Sequence, residues 1–190
     1  MTEFKSTPSE VAELASMSME LLSMDNWDVF YSDDKELNRA KLEQLEKALE
    51  TLPWVAAIDK FQHWIYTNKH TAQQRKEKWL EISAKLGNQI IDWEGNENVH
   101  ANLWQRQLHL YEVPFYYIEY GMAQLGAIAM WRSYKKLGEN GLDNYMEALK
   151  LGYTKSISEI YETAGIKFDF SAQYVKELAD FIKEELSELE

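Results

Sequence analysis

Turn punctuation is scarce in this chain, and that constrains its fold more than any other feature. Only 8 Gly and 3 Pro occur in 190 residues. Long stretches therefore run without a residue that ends a helix or supplies a left-handed turn. Long uninterrupted elements with apolar residues at three- and four-residue spacing predict an all-α fold. Aromatics make up 13% of the chain, with 7 Trp and 11 Tyr, which argues for a packed interior rather than disorder.

The segment Thr7-Pro8-Ser9-Glu10 opens the first helix. Thr7 suits the N-cap, Pro8 the first helical position, and Glu10 completes a T-x-x-E capping box. This helix is expected to reach about Met24. Its non-polar positions, Val11, Leu14, Leu21 and Leu22 among them, call for burial on most sides. Residues 36–52 predict an amphipathic helix that Pro53 breaks, with a second apolar helix starting there. Thr71 caps the next helix, Gly87 ends it, and residues 90–98 read as a loop. A helix over 99–111 follows, and Pro114 then opens the most apolar helix, which ends at Gly138. Two shorter helices, 141–151 and 158–164, close at Gly152 and Gly165, and Ser171 caps a final acidic one. No repeat or linker interrupts the pattern, so residues 1–190 read as one helical domain.

Lys plus Arg total 20 against 32 Asp plus Glu, a net charge of −12. A basic footprint for nucleic acid is missing and an anionic membrane surface repels the chain, so neither is expected as a partner. No run of 18 apolar residues marks a membrane span. The N-terminal MTEFKSTPSEVAE lacks the basic and apolar regions of a signal peptide. Cysteine is absent, which excludes disulfides, thiolate nucleophiles and Cys-ligated zinc and suits a cytoplasmic protein.

Two constellations could carry chemistry. Glu13 and Glu20 lie seven residues apart, near one face of the first helix, with Ser16 between them. On an Ala/Met/Leu helix such carboxylates either lie on a solvated edge or are paired or bound to metal. Glu10 already has a local role as the capping-box acid. In HLYEVPFYYIEYGMAQLG, residues 109–126, Tyr117 and Tyr120 share a helix face beside His109. Phenols next to a histidine can donate to a developing oxyanion or grip a peptide backbone, though most helical aromatic stripes are core. Gly121, Ala123, Gly126, Ala127 and Ala129 predict close helix–helix approach there, since helical Gly costs roughly 1 kcal/mol against Ala. His63, His70 and His100 show no HxxxH or HExxH spacing, so a metal role for them is weak.

The segments PFYYIEYGMAQLGA (114–127) and TPSEVAELASMSME (7–20) resemble the oligoendopeptidase F family of zinc metallopeptidases, in the thimet oligopeptidase superfamily. The resemblance runs through nearly the whole chain and implies an all-α, multi-helix array like the C-terminal part of that catalytic domain. It implies that Glu13 is the third zinc ligand, beside the two histidines of an HExxH helix, and that Glu20 is a second carboxylate of the same helix. It implies that His109, Tyr117 and Tyr120 line the cleft and stabilise the tetrahedral intermediate, with Tyr116 a near alternative.

No HExxH occurs in this sequence. The expectation is therefore a C-terminal portion of a peptidase acting on short peptides, inactive and zinc-free alone, whose partner is an upstream HExxH-bearing polypeptide. The alternative is a non-catalytic helical binding or scaffold protein derived from the family. The Val11–Met24 helix, without an HExxH helix to pack on, is expected to be exposed and to drive a homo-oligomer.

Overall fold

The structure, a computed structural model, describes residues 7–189. The first six residues, on which the signal-peptide reading partly rests, and residue 190 lie outside the described residues. Among the described residues there are helices and no strands. In chain order they are α1 (Ser9–Leu22), a 3-10 helix (Ser23–Val29), α2 (Asp34–Thr67), α3 (Ala72–Leu86), α4 (Glu97–Ala101), a second 3-10 helix (Leu103–Arg106), α5 (His109–Glu112), α6 (Ile118–Leu137), α7 (Glu139–Lys150), α8 (Ile157–Thr163) and α9 (Ala172–Ser187).

The caps that were legible in the sequence are in place at Thr71, whose side chain accepts from the Gln74 amide in a full capping box, and at Ser171, which accepts from the Tyr174 amide. Gly152 and Gly165 close their helices with φ of 54° and 74°. Four local expectations are corrected. Pro8, not Thr7, is the N-cap of α1, and no side chain caps it. The Pro8 carbonyl takes the first helical bonds, from Val11 and Ala12 at 3.0 and 2.9 Å, because a residue before proline is held extended.

Helix α2 continues past Pro53. The missing N–H and ring clash cost about 3 kcal/mol, and burial on either side outweighs that: Leu45, Ala48, Val55, Ala57 and Ile58 are each no more than 3% exposed. The helix expected over 99–111 is instead α4, a 3-10 turn and α5. Asn102 and Gln107 leave helical geometry, and both Trp104 and Leu110 reach the core as a result. Helix α6 starts at Ile118 rather than at Pro114, since Phe115 has φ 65°.

The chain forms two compact units, one of Met1–Leu49 with Met122–Glu190, the other of Glu50–Gly121. In the first, Val11, Leu14, Leu21 and Leu22 of α1 are buried. The expected exposure of the Val11–Met24 helix is thus corrected: its apolar side already has partners within this unit. Gly126 lets side chains of α1 and α8 pack directly on α6, since a Cβ there would meet Leu14 Cδ1 at 2.7 Å and Tyr161 Cε1 at 2.9 Å. The Tyr145 hydroxyl on α7 donates to the Ala15 carbonyl at 2.8 Å and ties α7 to α1.

The second unit is built around aromatic rings. Ala57, Ile58, Phe61, Trp79, Ile82, Trp104 and Leu110 form its core, with Trp54, Trp64 and Tyr117 packed against it. Phe61 contacts Trp79 and Trp104 at centroid distances of 5.5 and 5.0 Å. Each such ring contributes about 1.5–3 kcal/mol on burial, so this unit is stabilised mainly by side chains that sequence periodicity alone would spread over several helices. Gly121 allows the start of α6 to approach α2, where a Cβ would meet Val55 Cγ1 at 2.9 Å.

Candidate active site

His109 is the first residue of α5, half-buried, and both of its ring nitrogens have partners. Nδ1 lies 2.7 Å from Gln107 Nε2, and Nε2 lies 3.3 Å from Tyr120 Oη. The Trp54 indole N–H donates to Gln107 Oε1 at 3.1 Å. An indole can only donate, so it fixes the Gln107 oxygen toward Trp54 and the amide N–H toward His109. Nδ1 must then accept, which leaves the hydrogen on Nε2, facing the Tyr120 hydroxyl oxygen. One tryptophan on α2 thereby sets the tautomer of a histidine 55 positions away in sequence.

Three tyrosines surround this ring. Tyr117, Tyr120 and Tyr116 lie 5.0, 5.5 and 6.0 Å from it by centroid, and Tyr120 makes edge contacts with Tyr116 and Tyr117 at 5.5 and 5.3 Å. Burial raises the Tyr117 phenol above its ordinary range, against smaller lowering effects of its hydrogen bond with Trp54 and the Arg106 guanidinium. Like any phenol, Tyr117 is protonated at neutral pH and can donate a hydrogen bond. Arg106 sits over the Trp54 ring at 4.6 Å, a cation–π contact that steadies the indole.

The structure brings together His109, Tyr117 and Tyr120, and Tyr116 stands with them. Tyr116 stacks nearly parallel to His109, at 16°, so the two tyrosine alternatives are both at hand. Gln107 and Trp54 were not found by sequence reasoning. Gln107 is close to His109 in sequence, but Trp54 lies 53 residues before its partner, and no spacing rule reports such a pairing.

Glu13 and Glu20 belong to the other unit. Glu13 is half-buried on α1, and the Ser16 hydroxyl donates to its backbone carbonyl at 3.2 Å. Glu20 is exposed and its carboxylate accepts from Gln44 Nε2 at 3.0 Å. A catalytic zinc takes three protein ligands. Among the described residues no group of three or more His, Cys, Asp or Glu is placed to hold a metal ion, so these residues by themselves do not fit zinc.

The other histidines serve packing. His100 is stacked on Trp93 at 4.3 Å and bonds the Ser83 hydroxyl at 2.8 Å, folding the 88–96 loop onto α3. His70 bonds the Ile65 carbonyl and Arg75, and His63 lies 3.5 Å from Asp59. Among the described residues no helix is long and apolar enough to cross a membrane.

None of the curated proteins compared with the chain matches it. Peptidase family M3 matches over residues 2–180. Among solved structures the chain is similar to PZ peptidase A with an inhibitor, at 28% identity and a TM-score of 0.89, over 99% of this chain and 33% of that one. It is similar to a protein described as oligoendopeptidase F at 28% identity and TM-score 0.84, over 98% of this chain and 33% of that one. A third, described as an oligoendopeptidase F from Bacillus anthracis, gives 26% and 0.75, over 98% and 29%. The chain spans about a third of the length of these structures. The all-α expectation and the resemblance to oligoendopeptidase F therefore hold, and with a match along nearly its whole length the chain belongs to peptidase family M3.

Proposed function

We propose that this chain supplies the substrate-facing histidine and tyrosines of a zinc-dependent oligoendopeptidase that hydrolyses short peptides. The observation that carries this reading is the convergence of His109, Tyr117 and Tyr120, with the Nε2 hydrogen of His109 aimed at Tyr120 Oη. A peptide carbonyl gains negative charge as it becomes tetrahedral, and preplaced O–H donors favour that state over the planar one. An N–H donated into the phenol oxygen of Tyr120 strengthens its own O–H as a donor. Tyr117, a protonated phenol at neutral pH, can supply a second.

Glu13 is the carboxylate this chain offers to zinc, with Glu20 held beside the helix by Gln44; the remaining donors would come from outside the described residues. Alone, the chain is expected to bind no stoichiometric zinc and cleave nothing. A homo-oligomer would need a surface other than the buried side of α1; Met19 on α1 and Val29 and Phe30 after it are exposed apolar side chains that could contribute to one.

The test is reconstitution. The full chain is mixed with a polypeptide carrying the HExxH segment of this family and zinc, and cleavage of internally quenched short peptides is followed. Cleavage only on mixing supports the reading. Metal-dependent cleavage by the chain alone overturns the expected division of labour, and failure to associate favours a non-catalytic helical binding protein.

A further inference from the structure

Phe115 is the one non-glycine residue with positive φ among the described residues, at 65°. The Tyr116 amide donates to the Val113 carbonyl at 3.2 Å, which closes a four-residue turn over Val113-Pro114-Phe115-Tyr116. Proline second and positive φ third is the pattern of a type II turn, whose third position favours Gly or Asn. A bulky aromatic there is strained, and strain of this kind persists only where surrounding contacts hold it.

Burial does not explain the choice, because Phe115 is 41% exposed. Its ring instead contacts two rings of α2, His63 at 5.0 Å and Tyr66 at 5.2 Å, which are three residues apart and share a face. The residue after it leads into α6: the Tyr116 carbonyl accepts from the Glu119 amide at 2.9 Å. The path from the seated ring to the tyrosines is therefore a single turn of backbone.

We propose that Phe115 is a positioning residue: its ring, seated on His63 and Tyr66, holds the left-handed turn that sets Tyr116, Tyr117 and Tyr120 around His109. Its bearing on catalysis rests on the reading that those side chains act on the peptide, whereas the placement itself does not.

Three variants of the full chain test it, with the ring 15N shifts of His109 as the readout of its contact with Tyr120. Phe115→Gly relieves the backbone strain and removes the ring. It should change the His109 shifts while the unfolding midpoint moves by only a few degrees, roughly 2–4 °C per kcal/mol for a chain of this size. Phe115→Tyr keeps the ring and should restore the wild-type shifts. Tyr66→Ala removes half the seat without touching the turn and should reproduce the change, which keeps the test open should Phe115→Gly not fold.

Wild-type His109 shifts in both folded Phe115→Gly and Tyr66→Ala overturn the proposal. In the zinc-reconstituted mixture, Phe115→Gly should lower kcat at least tenfold with KM less affected. Shifts that move with no change in kcat leave the placement standing and remove the proposed role of the tyrosines.

Discussion

Replacing Gln107 with Leu cuts the His109 network at its centre. The variant loses the acceptor of the Trp54 indole and the donor to His109 Nδ1, bonds of 3.1 and 2.7 Å at part-buried sites. Each such bond contributes about 0.5–1.5 kcal/mol net, so the pair is worth about 1–3 kcal/mol. For a chain of this size roughly 2–4 °C accompany each kcal/mol, which puts the fall in unfolding midpoint at about 2–12 °C. The local effect is more specific. Without the amide donor, Nδ1 is no longer fixed as an acceptor, and the two tautomers mix. Ring 15N spectra should then move from a clear Nε2–H pattern toward averaged shifts. Gln105→Leu is the control, since Gln105 is exposed and its side chain donates to Asn102 Oδ1; it should stay within about 0.5 kcal/mol. An unchanged His109 pattern in Gln107→Leu would refute the assignment of the tautomer through Trp54, whatever happened to stability.

Tyr120→Phe in the zinc-reconstituted mixture should lower kcat by about 10²–10³, the cost of one oxyanion donor, and an unchanged kcat would remove Tyr120 from the chemistry. Gly126→Ala places a Cβ 2.7 Å from Leu14 Cδ1, so overpacking of about 1–3 kcal/mol should exceed the roughly 1 kcal/mol of helix propensity gained; thermal melts showing net stabilisation would contradict the packing. Among the described residues the buried Tyr161 hydroxyl has no hydrogen-bond partner, so Tyr161→Phe should leave the midpoint unchanged or raise it, and a fall of several degrees would reveal a bond to that hydroxyl. Burial raises the phenols of Tyr117, Tyr145, Tyr161 and Tyr174 above their ordinary range. The unfolded chain then loses those protons first, so stability present below about pH 10 should fall as pH rises past it. Melts between pH 8 and 11 that show no such fall would contradict the burial of these groups.

How far the sequence could be read depended on whether the deciding interaction was local. Thr71, Ser171, Gly152 and Gly165 act within a turn of themselves, and their roles were legible. Pro53 misled because the cost of a helical proline is local while the burial that outweighs it is not. Residues 99–111 have helical periodicity, yet Trp104 and Leu110 reach the core only if the helix is interrupted. The clustering of His109, Tyr117 and Tyr120 followed from their spacing and from family likeness. The network beneath them did not, because Trp54, Gln107 and the ring seat at His63 and Tyr66 are joined only by folding.

The division of the chain bears on the order in which it folds. Glu50–Gly121 is one continuous stretch, whereas the other unit is assembled from segments on either side of it. Bringing those segments together closes a loop of about 70 residues, an entropy cost of roughly 4 kcal/mol if the loop is unstructured. Prior condensation of the aromatic core around Phe61, Trp79 and Trp104 shortens that loop and lowers the cost. The expected sequence is therefore inside first: amides of α3 should gain hydrogen-exchange protection in pulse labelling before those of α1 and α8, and simultaneous protection would argue for one cooperative step. On a ribosome, residues 7–49 would find their partners in their own unit only after residue 121 had emerged.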